Sequence, residues 1–186
     1  ARTGINREAL AGMTDVTACT ADYVFGQTAY TIPYPDPELS YRLLRSLAPG
    51  HPLVVLSAEF DFTAIPPGHY TSRCVHAAIW EAAIAGVNGM AAAGDGYWQS
   101  PGGIDGLATA YLDVNRLAPV VTAFQRAEAP IAILWSMPSK IYRDGETFLE
   151  SVRRVYEGCA FFGFPVRFIT EEECVSGGLD DVAVLI

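Results

Sequence analysis

The sequence predicts a mixed α/β fold, because short apolar runs alternate with longer amphipathic segments along the chain. The clearest run is HPLVVL at residues 51–56, which is flanked by chain-breaking residues, as expected of a fully buried parallel strand. Residues 38–47 carry leucines at helical spacing, and Pro49-Gly50 ends that helix. The alternation of apolar runs and amphipathic segments starts again after Ala129-Pro130, so we expect two α/β units that meet there.

The other elements follow the same alternation. Thr170 precedes three glutamates, which is the pattern of a helix N-cap with acids in the first turn. We expect further strands at 15–19, 86–93, 131–135, 166–170 and 182–186, and further helices at 70–85, 104–127 and 145–162.

Composition narrows the class of protein. The chain has 186 residues, of which 51% are hydrophobic and 18% charged, so it is long and apolar enough to bury a core. The net charge of −9 and the absence of a Lys/Arg stripe argue against nucleic-acid and membrane partners. Four widely spaced cysteines without a CxxC motif predict reduced, mostly buried thiols in a cytoplasmic protein. No metal-ligand spacing or nucleotide-binding motif is present, so we expect no metal and no cofactor.

Glu59 is the leading candidate for catalysis. It follows the strand predicted at 51–56, and barrel enzymes carry catalytic groups at the carboxyl ends of their parallel strands. Retaining glycoside cleavage uses two carboxylates about 5 Å apart, one as nucleophile and one as acid/base. An acid in this position is also common as a cap or ion-pair partner, so position alone leaves both interpretations open.

Aromatic and acidic residues near the same strand ends are candidates for binding. Trp98 follows the strand predicted at 86–93, and such a ring either stacks on the apolar face of a sugar or fills a core or loop. Tyr23 and Tyr30 follow the run at 15–19 and are expected to line the same rim. Asp61 is close enough in sequence to tune Glu59, or it is a solvated loop acid.

Three segments resemble a known family. HPLVVLSAEFDF is similar to the strand-seven region of clan A glycoside hydrolases, where a small residue followed by Glu carries the nucleophile. RCVHAAIWEAAIAG and GVNGMAAAGDGYW are similar to the next helix and strand eight of such barrels. The sequence from ILWSMPSKIYRDGETFLESVRRVYEG onward resembles the domain that follows the barrel in family 42-like β-galactosidases.

This resemblance implies the C-terminal portion of a (β/α)8 barrel at residues 1–128 and the beginning of a flavodoxin-like, doubly wound domain at 129–186. It implies a retaining β-glycosidase with Glu59 as nucleophile, Trp98 against the carbohydrate substrate, and a homo-oligomer such as a trimer. The acid/base of the family lies on strand four, which has no counterpart here, so we expect this chain to be part of a longer polypeptide. The small residues Met90-Ala91-Ala92-Ala93 also depart from the bulkier strand eight of the family.

Two other functions stay open. The missing strand-four carboxylate is compatible with a non-catalytic carbohydrate-binding or assembly module. The second alternative is an amidotransferase-like or flavodoxin-like enzyme whose active site lies after residue 130. Against it, neither Cys159 nor Cys174 follows a strand-to-helix elbow, where a nucleophilic cysteine is expected.

Overall fold

The computed structural model describes residues 7–24, 37–61, 71–93, 102–142 and 145–186, whose strands form two parallel three-stranded sheets. The α/β prediction is therefore confirmed. In chain order the elements are α1 (Arg7–Ala11), β1 (Thr17–Val24), α2 (Pro37–Leu47), β2 (Leu53–Asp61), α3 (Thr71–Ile84), β3 (Gly89–Ala93), α4 (Gly103–Arg116), α5 (Ala118–Gln125), β4 (Ile131–Trp135), α6 (Met137–Tyr142), α7 (Gly145–Ala160), β5 (Val166–Thr170), α8 (Glu171–Val175) and β6 (Val184–Leu185).

The chain forms two compact units. The first unit consists of Val16–Tyr41 and Pro52–Arg126 and contains β1 to β3. The second unit consists of Ala1–Asp15, Arg42–His51 and Ala127–Ile186 and contains β4 to β6. The domain limits at 1–128 and 129–186, the closure of a barrel and the flavodoxin-like fold of residues 129–186 stay predictions.

β2 is the central strand of the first sheet, in the order β1-β2-β3. Its start is fixed to the residue before β3 by two hydrogen bonds: the Leu53 N–H donates to Asn88 Oδ1 (2.9 Å), and the Asn88 N–H donates to the Leu53 carbonyl (2.8 Å). The prediction of a strand at 51–56 was too short, because β2 continues to Asp61. β1 likewise extends beyond the predicted run at 15–19, to Val24.

β2 carries one extra residue relative to its neighbours. Leu56 has no counterpart on β1, where the partners Cys19 and Thr20 are consecutive, and the β3 register shifts between Val55 and Ala58. Such a bulge changes which side chains lie on which face of the sheet. The buried positions of β2 are accordingly odd-numbered before the bulge and even-numbered after it: Leu53, Val55, Ala58 and Phe60.

α3 and α4 pack closely because Gly106 has no side chain. A Cβ atom added to Gly106 would lie 2.8 Å from the Cα and 2.9 Å from the carbonyl carbon of Ser72 on α3. His76 Nε2 on α3 lies 3.3 Å from a carboxylate oxygen of Asp113 on α4. This contact joins the two helices near Gly106.

The helix predicted at 104–127 is two helices that separate at Leu117. Pro119 is the second residue of α5, and a proline there has no N–H to continue the i→i−4 hydrogen bonds of the preceding helix. The end of α5 contacts α3, because the Gln125 side-chain amide donates to the Ala83 carbonyl (2.7 Å).

β4 is the central strand of the second sheet, in the order β5-β4-β6. Phe148 and Tyr156 of α7 pack against Trp135 and Phe168 of the sheet, with ring centroids 5.5 Å and 6.0 Å apart. β5 lies at the edge of the described sheet, and its Phe168 N–H donates to the Ser46 hydroxyl of α2 (3.0 Å). This hydrogen bond satisfies a backbone donor that would otherwise be free at the edge.

The N-cap predicted at Thr170 is confirmed. Thr170 Oγ1 accepts from the Glu173 N–H (3.2 Å), and the Glu173 carboxylate accepts from the Thr170 N–H (2.9 Å), which is a complete capping box.

The structure bears on the prediction for the cysteines. Cys19, Cys74, Cys159 and Cys174 are all free thiols, but only Cys159 is fully buried, so the expectation of mostly buried thiols was wrong. Across the described ranges, no helix combines the length and apolar character needed to cross a membrane.

We expect Gly106→Ala to lower the free energy of unfolding by about 1–3 kcal/mol, because the new methyl group forces α3 and α4 apart. Gly158→Ala is the matched control, since an added Cβ at this exposed helical position meets nothing within 4 Å. The control should raise stability by about 0.5–1 kcal/mol. Urea unfolding followed by circular dichroism measures both; equal effects of the two substitutions would contradict the close packing at Gly106.

Candidate functional site

The sequence predicts Glu59 directly after a strand, but in the structure Glu59 lies within β2. It is the seventh of the nine residues of the strand, and its side chain is exposed. Ala58 and Phe60, on either side of it, are buried. The strand continues past Glu59 because Phe60 adds one more apolar contact on the covered face, where its ring stacks on Tyr23.

Glu59 shares its face of the sheet with other polar side chains. In the register of β1 and β2, Asp22 is the partner of Glu59 and Thr20 is the partner of Ser57. Because partners on neighbouring parallel strands lie on the same face, these four side chains form one polar surface. We call Thr20, Asp22, Ser57 and Glu59 the polar face of the first sheet.

Small residues lie beside the polar face on β3. Ala93 is the register partner of Glu59 on that side, and Ala92 is the partner of Ala58. Among the described residues, the side chain next to Glu59 on β3 is therefore only a methyl group. The small residues of this strand, which depart from the resembled family, therefore widen the approach to Glu59.

Tyr23 does not line the same face as Glu59, and that expectation was wrong. Its ring stacks on Phe60 with centroids 5.2 Å apart and an interplanar angle of 9°, on the buried face. Its hydroxyl forms a hydrogen bond with the Tyr41 hydroxyl (2.8 Å) and lies 3.4 Å from the Ala78 carbonyl. Alternation along β1 explains the result, because consecutive residues Asp22 and Tyr23 lie on opposite faces.

The surroundings of Tyr23 make its ionisation difficult. Burial is the main cause that raises the pKa of Tyr23 far above its usual range, and the neighbouring Tyr41 hydroxyl adds to this. The Tyr23–Tyr41 pair is therefore a neutral, buried hydrogen bond that stabilises the packing of the first unit.

The other candidates are placed as follows. Trp98 and Tyr30 lie outside the described residues, so their binding roles stay predictions. Asp61 is the last residue of β2, is exposed, and pairs in register with Val24. Among the residues that the structure describes, no group of three or more His, Cys, Asp or Glu side chains is arranged to hold a metal ion.

Sequence reasoning missed Asp22. Neither Asp22 nor Glu59 makes a hydrogen bond or ion pair with any side chain in the described ranges. The signal for Asp22 was its alternation with the apolar residues Ala21 and Tyr23, which marks an exposed position in a half-buried strand. Its register with Glu59 joins residues on two separate strands and is not visible in the local sequence.

The fold is similar to that of a glycoside hydrolase. The structure matches the apo exo-carrageenase GH42 from Bacteroides ovatus with a TM-score of 0.72 and 20% sequence identity. The match covers 91% of this chain and 26% of that protein, so the chain spans about a quarter of its length. This likeness establishes a fold of the GH42 type over most of the chain.

Comparison by sequence adds nothing to this likeness. No protein-family model matches the chain, and no curated protein matches it at a significant level.

We expect Tyr23→Phe to lower the free energy of unfolding by about 1–2 kcal/mol, because the buried Tyr41 hydroxyl loses this partner. Tyr142→Phe, which alters a side chain that is 86% exposed, should leave stability unchanged. Chemical denaturation of both variants provides the measurement. An unchanged stability of Tyr23→Phe would contradict the buried hydroxyl pair.

The same pair predicts a pH dependence. The pKa of Tyr23 is raised in the folded state, so its contribution to stability is complete below the unfolded tyrosine pKa of about 10 and is lost as the pH rises above that value. The free energy of unfolding of the parent should therefore fall more steeply between pH 10 and pH 11 than that of Tyr23→Phe, by up to about 1.4 kcal/mol per pH unit. Urea titrations at pH 8, 10 and 11 measure the slopes, and identical slopes would contradict the assignment.

Proposed function

We propose that this chain is part of a retaining glycoside hydrolase that cleaves β-glycosides, of the β-galactosidase type, with Glu59 as the nucleophile. The observation that carries the proposal is the position of Glu59, an exposed carboxylate on the open face of the central parallel strand. The GH42-type fold supports it, because the strand that precedes α3 and β3 is where the resembled barrels carry their nucleophile.

The chemistry needs a carboxylate that is free to attack. Glu59 attacks the anomeric carbon, and the bond from that carbon to the leaving oxygen breaks as an acid/base residue protonates the oxygen. Water activated by the same acid/base then releases the sugar from Glu59 with retained configuration. The open face and the small Ala93 beside Glu59 favour this role over a cap or an ion pair.

The remaining parts of the proposal concern groups beyond the polar face. We place Trp98 and Tyr30 against the sugar, and we place the acid/base in a part of the protein that this chain does not contain. Residues 129–186 are proposed to begin a flavodoxin-like domain that supports a homo-oligomer, such as a trimer. The proposed reaction uses no metal and no cofactor.

We expect Glu59→Gln in the intact protein to lower kcat on aryl β-glycosides at least about a thousandfold, which corresponds to ~4 kcal/mol of transition-state stabilisation. The amide is nearly isosteric but is not a nucleophile, so binding should be largely kept. Glu128→Gln, an exposed change in the loop before β4, is the control and should retain parental kinetics.

A trapping experiment identifies the nucleophile directly. An activated 2-deoxy-2-fluoro β-glycoside should label the intact protein covalently, and digestion followed by mass spectrometry should find the label on Glu59. Near-parental turnover of Glu59→Gln, or a label on another residue, would reject the assignment. Sugar binding without any turnover by the parent protein would instead favour the non-catalytic carbohydrate-binding module.

A further inference from the structure

Asp22 is the residue of β1 that lies directly beside Glu59. The two are register partners on neighbouring parallel strands, which are about 4.8 Å apart, and both side chains are exposed on the polar face. The position of Asp22 is fixed by the packing of its neighbours, since Ala21 and Tyr23 are buried on the opposite face. The backbone at Asp22 therefore places this residue on the same side of the sheet as Glu59.

The polar face is unusual for a parallel sheet. Parallel sheets normally carry apolar residues on both faces because both are covered, whereas the buried residues of β1 and β2 all lie on the face that contains Ala58 and Phe60, and the opposite face combines polar side chains with Val54 and Ala93. No Lys, Arg or His occurs in β1, β2 or β3, so no cation from these strands neutralises Asp22. An acidic side chain that has no hydrogen-bond or ion-pair partner among the described residues is suited to accept hydrogen bonds from a ligand.

We propose that Asp22 is a substrate-binding residue that accepts hydrogen bonds from a ring hydroxyl of the sugar attacked by Glu59. This inference rests on the proposed function and adds a residue that determines which hydroxyl pattern is bound. A carboxylate accepts hydrogen bonds from hydroxyl groups more strongly than a neutral acceptor does, and Asp22 is one strand away from the proposed nucleophile on the same face.

Asp22 is placed for binding and not for proton transfer. The spacing of one strand is close to that of a retaining pair, but Asp22 and Glu59 lie side by side on one face, whereas an acid/base has to reach the leaving oxygen on the side of the reacting carbon opposite Glu59. Asp61 is a poorer candidate for the same hydroxyl, because it is two residues beyond Glu59, about 6.6 Å along the strand. The inference is therefore specific to Asp22.

The test combines variants of Asp22 with deoxy analogues of the substrate. Steady-state kinetics of the intact parent, Asp22→Ala and Asp22→Asn are measured on 4-nitrophenyl β-D-galactopyranoside and on its 2-, 3-, 4- and 6-deoxy analogues. We expect Asp22→Ala to raise KM at least about tenfold, in the range for loss of a hydrogen bond to a charged group, with kcat changed less than about threefold. Asp22→Asn keeps one acceptor oxygen and should fall between the parent and Asp22→Ala.

The deoxy analogues separate binding from a structural effect. At one ring position, removal of the hydroxyl should weaken the parent but cause no further loss in Asp22→Ala, because the two changes remove the same hydrogen bond. Asp180→Ala removes an exposed acid from the second unit and should match the parent on every substrate. A thermal unfolding scan checks that each variant is folded, and Asp22→Asn carries the test if Asp22→Ala is not.

Each outcome has a distinct meaning. The role of Asp22 would be overturned if the effects of Asp22→Ala and of the missing hydroxyl were additive at all four ring positions. It would also be overturned if Asp22→Ala lowered kcat and left KM unchanged. In both cases an inactive Glu59→Gln would leave the proposed function standing. Full activity of Glu59→Gln, or no turnover of the galactoside by the parent, would overturn the proposed function and with it this inference.

Discussion

The extra residue Leu56 decides which side chains of β2 lie against the helices and which lie on the polar face. Uninterrupted alternation from Leu53 and Val55 would bring Glu59 to the buried face, where an unpaired carboxylate costs several kcal/mol. The bulge shifts the alternation by one residue, so Phe60 is buried and Glu59 is exposed. Every property of the candidate site depends on this shift.

The two faces of the first sheet have separate physical roles. The buried face contributes stability through apolar packing and through the neutral hydroxyl pair of Tyr23 and Tyr41. Thr20, Asp22 and Glu59 of the polar face are exposed, so we expect substitutions there to change packing less than substitutions at Ala58 or Phe60. Adjacent residues such as Asp22 and Tyr23 belong to different faces. A substitution of Asp22 is therefore expected to change binding, whereas a substitution of its neighbour Tyr23 is expected to change stability.

The sequence was informative where structure is determined locally. The apolar run before Glu59, the strands at 131–135 and 166–170 and the cap at Thr170 depend on residues within a few positions of one another, and they were predicted. The end of β2 was missed because a carboxylate after an apolar run has the same local pattern as a loop. The break at Pro119 was readable from the proline alone, which cannot donate a helical hydrogen bond.

Local sequence patterns do not predict contacts between residues that are distant in the sequence. The hydrogen bond from Phe168 to Ser46 joins residues 122 positions apart, and nothing in the amphipathic pattern of α2 marks Ser46 as the partner of a strand edge. The same holds for Asp22, whose place beside Glu59 follows from the register of two strands and from the bulge at Leu56.

The geometry of the polar face also constrains any mechanism that starts from Glu59. Asp22 and Glu59 lie side by side on one surface, so neither is able to approach the sugar from the side opposite the other. A double displacement needs a second carboxylic group across the reacting carbon. β1 and β3 are the outer strands of the described sheet, with edges available for further pairing. In the proposed enzyme the acid/base therefore belongs to strands that continue this sheet, and Glu59 and Asp22 form one wall of the site.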